Sequence, residues 1–299
     1  MNRLLLHKRY YSIPWKLIDN VTKLDRARAC SCIKFPQDAP IDLSGDLNYT
    51  SAIPSKHIMC LTTKDNKMEE FNSKIEDWKG TLAFEMQKFK KLYQDQRVSI
   101  SSIVFENHQK ILKRFSLKEG SDQQLVFLYP DNIAIRFNLR NTYEFIIKYL
   151  YKEQIQDVYN PFKPQIKEKK LNISIDINSI DSNLFQEFEI GKDLVLTCGH
   201  AKRDIRCGIM GPILQNEFTS RLKKDYINSV YNGQITHIGG HKYAGNVLYY
   251  PKETSSPKDF IWYGRVFPED VDDIIKETVV NKKIIKELFR GPIGNYMKH

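Results

Sequence analysis

The strongest constraint on the fold is a pattern that occurs twice: short runs of β-forming residues alternating with stretches of helical apolar spacing. In the first half, residues 57–63, Val98–Phe105 and Gln124–Tyr129 are short and apolar, and Ile133–Phe137 alternates apolar with polar as a half-buried strand does. Phe71, Ile75, Trp78, Leu82, Met86, Phe89 and Tyr93 recur at three- and four-residue steps and predict one long helix, with Gly80 as a point of weakness. Asn141–Tyr151 predicts a second helix. The second half repeats the scheme. Asp193–Thr197, Gln234–Ile238, Asn246–Tyr250 and Phe260–Phe267 read as strands. Pro212 and Pro268 each stand where a helix can open, in a first turn that needs no N–H. Each half is an α/β unit compatible with a thioredoxin-like arrangement.

A chain of 299 residues has room for two such units. Between them, Gln154–Lys170 holds Pro161, Pro164 and the basic run Lys167–Lys170, the composition of a linker. The expected organisation is residues 1–11 as a presequence, 12–153 as an N-terminal thioredoxin-like domain, 154–191 as linker and connecting segment, and 192–299 as the C-terminal domain. No run approaches the ~18 consecutive apolar residues of a membrane span. The net charge of +10 is spread among acids, as in Lys67–Asp77, and no nucleic-acid motif accompanies it, which argues against DNA or RNA as the partner. Residues 1–18 contain Arg3, Lys8, Arg9 and Lys16 and no acid, and the run Arg9–Ser12 resembles a matrix-protease site; both point to mitochondria, matrix or intermembrane space.

The five cysteines are too few and too odd in number for a secreted disulfide scaffold. Cys60 lies in an apolar run and reads as a buried hydrophobe. Cys198 and Cys207 have eight residues between them in a segment read as a glycine-studded loop, C-G-H-A-K-R-D-I-R-C-G-I-M-G-P. His237 and His241 have three between them in H-I-G-G-H-K-Y-A-G-N. Thiolate and imidazole are ligands of zinc, copper and iron–sulfur centres alike. The eight-residue gap lends a zinc finger no support, because paired zinc cysteines usually sit closer. A nucleophilic Cys207 beside Arg203 and Arg206 is a further option, although no acyl-transfer signature surrounds it.

These two blocks, together with W-Y-G-R-V from Trp262 to Val266, resemble the sucrase/ferredoxin-like family, most strongly over residues 192–292. Cys30–Ser31–Cys32 resembles an early C-x-C of that family. The resemblance implies a thioredoxin-like ferredoxin domain at the C-terminal end, holding a [2Fe–2S] cluster on Cys198, Cys207, His237 and His241. It leaves His200 outside the ligand set, as a solvent-facing loop residue. Two histidines in place of two thiolates raise the potential of such a cluster. The expected role is electron transfer or thiol redox homeostasis with a redox protein partner, rather than an enzyme with its own substrate. The alternatives are a thiol redox sensor or oxidoreductase using Cys30 and Cys32, and a zinc-stabilised binding module. Arg203, Asp204 and Arg206 are candidates for setting the local field, for contacting a redox partner or for bracing the loop, and Lys242 for a surface cation or a charge close behind the ligands.

Overall fold

A computed structural model describes residues 13–19, 24–61, 67–117, 122–151, 179–254 and 256–296. The chain is mixed α/β around one large sheet. Strand β1 is Lys16–Ile18 and helix α1 is Arg26–Ser31. The first half then runs β2 (Lys56–Leu61), α2 (Leu82–Gln87), β3 (Val98–Phe105), α3 (His108–Arg114), β4 (Gln123–Tyr129), β5 (Ile133–Asn138) and α4 (Thr142–Tyr149). The second runs β6 (Phe185–Glu189), β7 (Asp193–Cys198), α5 (Ile205–Lys224), β8 (Val230–Ile235), β9 (Val247–Tyr250) and β10 (Ile261–Tyr263). A final helix, α6 (Val271–Asp273), continues in π geometry over Ile274–Val280 and leads to β11 (Lys283–Ile285).

Nine strands form the main sheet in the order β10-β9-β7-β8-β3-β2-β4-β5-β6. In the second half, β7 and β8 are parallel across α5, β9 is antiparallel to β7, and β10 is antiparallel to β9. This is the strand order of a thioredoxin-like sheet. The first half shows the same relations: β2 parallel to β3, β4 antiparallel to β2, β5 antiparallel to β4. The halves meet where β3 pairs antiparallel with β8, so the sheet runs unbroken between them.

Side-chain alternation along each strand sets the layers. Met59, Leu61, Leu194, Leu196 and Cys198 face one core that spans both halves. Ile58 and Cys60 face a second, under α2 and α4. Val195 faces a third, built with Met210, Leu214 and Phe218 of α5. Trp15, Ala29 and Ile41 belong to that third core, so the chain's opening segment lies against the second half. Strand β1 pairs in parallel with β11, Asp42 N–H donates to the Lys242 carbonyl, and Ser51 N–H donates to the Arg290 carbonyl. Residues 13–19 and 24–51 thus form an arm against the second half.

Several expectations are corrected. The long helix over residues 71–93 is a chain of short pieces: 3-10 turns at Ile75–Asp77 and Lys90–Leu92 flank α2. Gly80 takes φ +80, outside helical space, and Thr81 then caps α2 through its side chain. The strand read over 260–267 stops at Tyr263, because Arg265 takes φ +55. Part of the expected connecting segment is strand β6, paired with β5; most of the rest, like residues 1–11, lies outside the described residues.

Candidate metal centre

Helix α5 begins seven residues before Pro212, where the sequence reading placed its start. The physical cause is Asp204. Its carboxylate caps the helix by accepting from Arg206 N–H at 3.0 Å and is gripped on both oxygens by the Arg206 guanidinium, each at 2.9 Å. The loop after Cys198 is therefore only residues 199–204. Pro212 sits inside the helix, where it removes the hydrogen bond to the Gly208 carbonyl. Gly208 and Gly211 serve space, not turns: a Cβ on Gly211 would lie 2.7 Å from the Cys198 carbonyl oxygen, and one on Gly208 would lie 2.5 Å from Ala201 Cβ. The helix thereby lies directly on the end of β7, and the Thr197 hydroxyl donates to the Gly211 carbonyl at 3.1 Å. We expect Gly211→Ala to cost about 1–3 kcal/mol despite its better helix propensity, because the strand end beneath it has no room to retreat. Thermal unfolding at or above the unmodified midpoint would contradict this.

Cys198 closes β7 and Cys207 occupies the first turn of α5, both buried. His237 and His241 follow β8. Between them Gly239 (φ +86) and Gly240 (φ +73) are left-handed, the conformation that folds the second ring back beside the first. The ring centroids are 5.4 Å apart. One ligand atom each from Cys198, Cys207 and His237 lies within 4.8 Å of the others. Nδ1 of His237 is buried without a hydrogen-bond partner, although such atoms are normally satisfied. His241 stands at the rim, its side chain 48% exposed, with Nε2 3.9 Å from Asp204.

The Cys207 thiol hydrogen-bonds to Cys198 and, with the His237 ring and the His200 amide, holds the Cys198 thiol well below its usual range, against burial. The same bond to Cys198, then burial, pushes Cys207 up. The pair is built to carry one thiolate readily. Burial lowers His241, although Asp204 pulls the other way. Burial also raises Asp204, but the bonds from Arg206 outweigh it and hold the carboxyl down.

His200 is not solvent-facing, as the sequence reading had it, but buried. Its Nδ1 accepts from His237 N–H at 3.2 Å and its Nε2 lies 2.9 Å from the Asn72 carbonyl, a tie between the halves that no local pattern foretells. Arg290 was also missed. It lies under Gly239 and Gly240, donating to the Gly239 carbonyl at 3.3 Å and to Asn246 Oδ1 at 2.6 Å. Arg203 and Lys242 are exposed, and Lys242 stands 3.6 Å from Asp42. Cys30 and Cys32 are not in the ligand group. Cys30 is half-buried in α1 and Cys32 is exposed at its end; residues two apart on a helix face away from each other, so a bridge requires the turn to unwind. Cys60 is a sealed thiol pushed up by burial to about 12, which makes it inert.

Among the described residues no helix is long and apolar enough to cross a membrane. The chain is 40% identical over 268 residues to the altered inheritance of mitochondria protein 32 of Meyerozyma guilliermondii, covering 89% of this chain and 90% of that one. It is 40% identical over 283 residues to the protein of the same name in Debaryomyces hansenii, covering 91% and 96%. Among solved structures, the thioredoxin-like [2Fe–2S] ferredoxin from Aquifex aeolicus aligns at 18% identity and a TM-score of 0.26, over 33% of this chain and 89% of that one. The sequence profile of the sucrase/ferredoxin-like family matches residues 47–291, and the chain belongs to that family.

Proposed function

We propose that this protein holds a [2Fe–2S] cluster on Cys198, Cys207, His237 and His241 and serves electron transfer or thiol redox homeostasis in mitochondria. The observation that carries the reading is the convergence of two buried thiols and a His237 ring whose buried Nδ1 has no partner. An orphaned ring nitrogen beside a thiolate pair is what a ligand set looks like before its metal is added. His241 belongs to the set by its place beside His237, yet lies outside the 4.8 Å group. That spread suits a two-iron group better than a single tetrahedral zinc, which draws all four ligands to one centre.

When bound, the cluster supplies a one-electron redox site. The chain's own residues supply the rest. Burial of both thiols keeps water from the sulfur ligands. Asp204 offers a carboxylate to the ring of His241, the kind of outer partner that fixes a ligating imidazole. The exposed edge of His241 is the natural point of approach for a redox protein. The two-domain division and a presequence at residues 1–11 belong to the same proposal; it is supported by the recurring strand order, the acid-free basic start and the name shared by the relatives.

Protein purified anaerobically from mitochondria is expected to be coloured and reducible, with iron and acid-labile sulfide in equal amounts. A colourless protein holding stoichiometric zinc would replace this reading with the zinc-stabilised module.

A further inference from the structure

Arg290 is one of the largest fully buried side chains in the molecule, only 1% exposed. A buried guanidinium is normally paired with a carboxylate. Here every hydrogen-bond acceptor is neutral: Thr50 Oγ1 at 3.2 Å, the Thr50 carbonyl at 2.7 Å, the Gly239 carbonyl at 3.3 Å and Asn246 Oδ1 at 2.6 Å. Among the described residues no carboxylate lies within ion-pair distance of it. The ionisable groups that act on it favourably are Cys198, Cys207 and Tyr243, whose ring centroid is 5.9 Å from Cζ. The Arg290 guanidinium also lies against Gly239 and Gly240, the turn that joins His237 to His241.

We infer that Arg290 is the fixed positive charge that stabilises the electron added at the Cys198–Cys207–His237–His241 site. The inference rests on the cluster reading above. Two ferric ions, two sulfides and two thiolates sum to zero, so the oxidised group gives Arg290 no net partner. One electron from an external one-electron donor takes the group to −1, with no bond made or broken. The guanidinium, held in place by four neutral acceptors and shielded from water, then gains the opposite charge it lacked. Reduction becomes easier, in addition to the effect of histidine ligation. The burial of the cation is the cost, and it shows as an Arg290 pKa lowered by burial to about 10.

The test is a dithionite titration of iron–sulfide-loaded protein, comparing the unmodified chain with Arg290→Gln and Arg290→Lys. Arg290→Gln is expected to disfavour reduction at least tenfold, a fall of about 59 mV for one electron. Arg290→Lys, which keeps the charge, is expected to lose less than half of that. Loss of the cluster or of the fold in the glutamine variant, restored by lysine, also supports the inference. Equal loss in both variants, or an unchanged potential in Arg290→Gln, overturns it and leaves Arg290 a brace for the histidine loop. If the unmodified protein contains neither iron nor sulfide, the cluster reading fails. The Arg290 inference then falls with it, whereas iron and sulfide present with an unchanged potential in Arg290→Gln overturn the Arg290 inference alone.

Discussion

Cys198→Ser and Cys207→Ser should each strip the protein of iron and sulfide, to below about a tenth of the unmodified content, while Cys60→Ser leaves both unchanged. A serine oxygen is a hard, strongly basic donor that replaces thiolate poorly on an iron–sulfur group. Both positions are also fixed by backbone. Cys198 ends a strand whose N–H donates to the Asn246 carbonyl at 2.9 Å, and Cys207 sits in the capped first turn of α5. Neither can move aside for a substitute ligand. Cys60 faces the core under α2 and α4, away from Cys198. Iron and sulfide analysis of the three variants, each checked for folding, decides the matter. Full content in either Cys198→Ser or Cys207→Ser would remove that cysteine from the site.

Arg26→Ala should cost about 3–5 kcal/mol near neutral pH, the penalty for leaving a buried charge without its partner. Arg26 reaches from α1 to Asp270, with Nη1–Oδ2 at 3.0 Å and Nη2–Oδ1 at 3.1 Å, and the Asp270 side chain is 1% exposed. Burial raises Asp270 above its ordinary 3.8, against the pull of Arg26. Removing the guanidinium raises it further. A carboxyl whose folded pKa lies above its unfolded one binds its proton more tightly when folded. Stability is therefore lost as pH rises from the unfolded value through the folded one. The deficit of Arg26→Ala should be largest at pH 7 and shrink on acidification towards pH 4, where the buried carboxyl is neutral. Chemical denaturation at both pH values measures this. Faster proteolysis within residues 24–50 should accompany it, since the arm loses its tether. An equal deficit at the two pH values would assign the effect to packing alone.

The strands were legible in the sequence because their alternation is a local property, read within a few residues. Val98–Phe105 was placed without error and Asp193–Thr197 to within one residue. The candidate site was legible for a different reason: the residues proposed as ligands follow strand ends in two dense motifs, and three of them, Cys198, Cys207 and His237, come together. What the sequence concealed depends on contacts between distant segments. The apolar spacing from Phe71 to Tyr93 imitates one helix, but those residues meet their neighbours in several short turns broken at Gly80. Pro212 resembles a helix start because nothing local reveals that Asp204 already caps one. His200 looks like an exposed loop residue until Asn72, from the other half, closes over it. Arg290 lies in an ordinary Leu288–Phe289–Arg290 run, and its importance comes only from the glycines it underlies.

The arm formed by residues 13–19 and 24–51 gives the chain an unusual order of completion. Lys16–Ile18 finds its partner only in Lys283–Ile285, and Thr50 and Ser51 are held by Arg290. A polypeptide that emerges from its N-terminus, from a ribosome or through a translocation pore, exposes this arm first and seats it last. Trp15 and Ile41 stay without their apolar surroundings until nearly the whole sequence is available. Contacts of such long sequence separation are slow to form and leave apolar surface open while they wait. The closing step also sets Arg290 beneath the histidine loop. Docking of the two ends and completion of the pocket around Cys198, Cys207, His237 and His241 are therefore coupled, and a chain cut before Lys283 would lose both together.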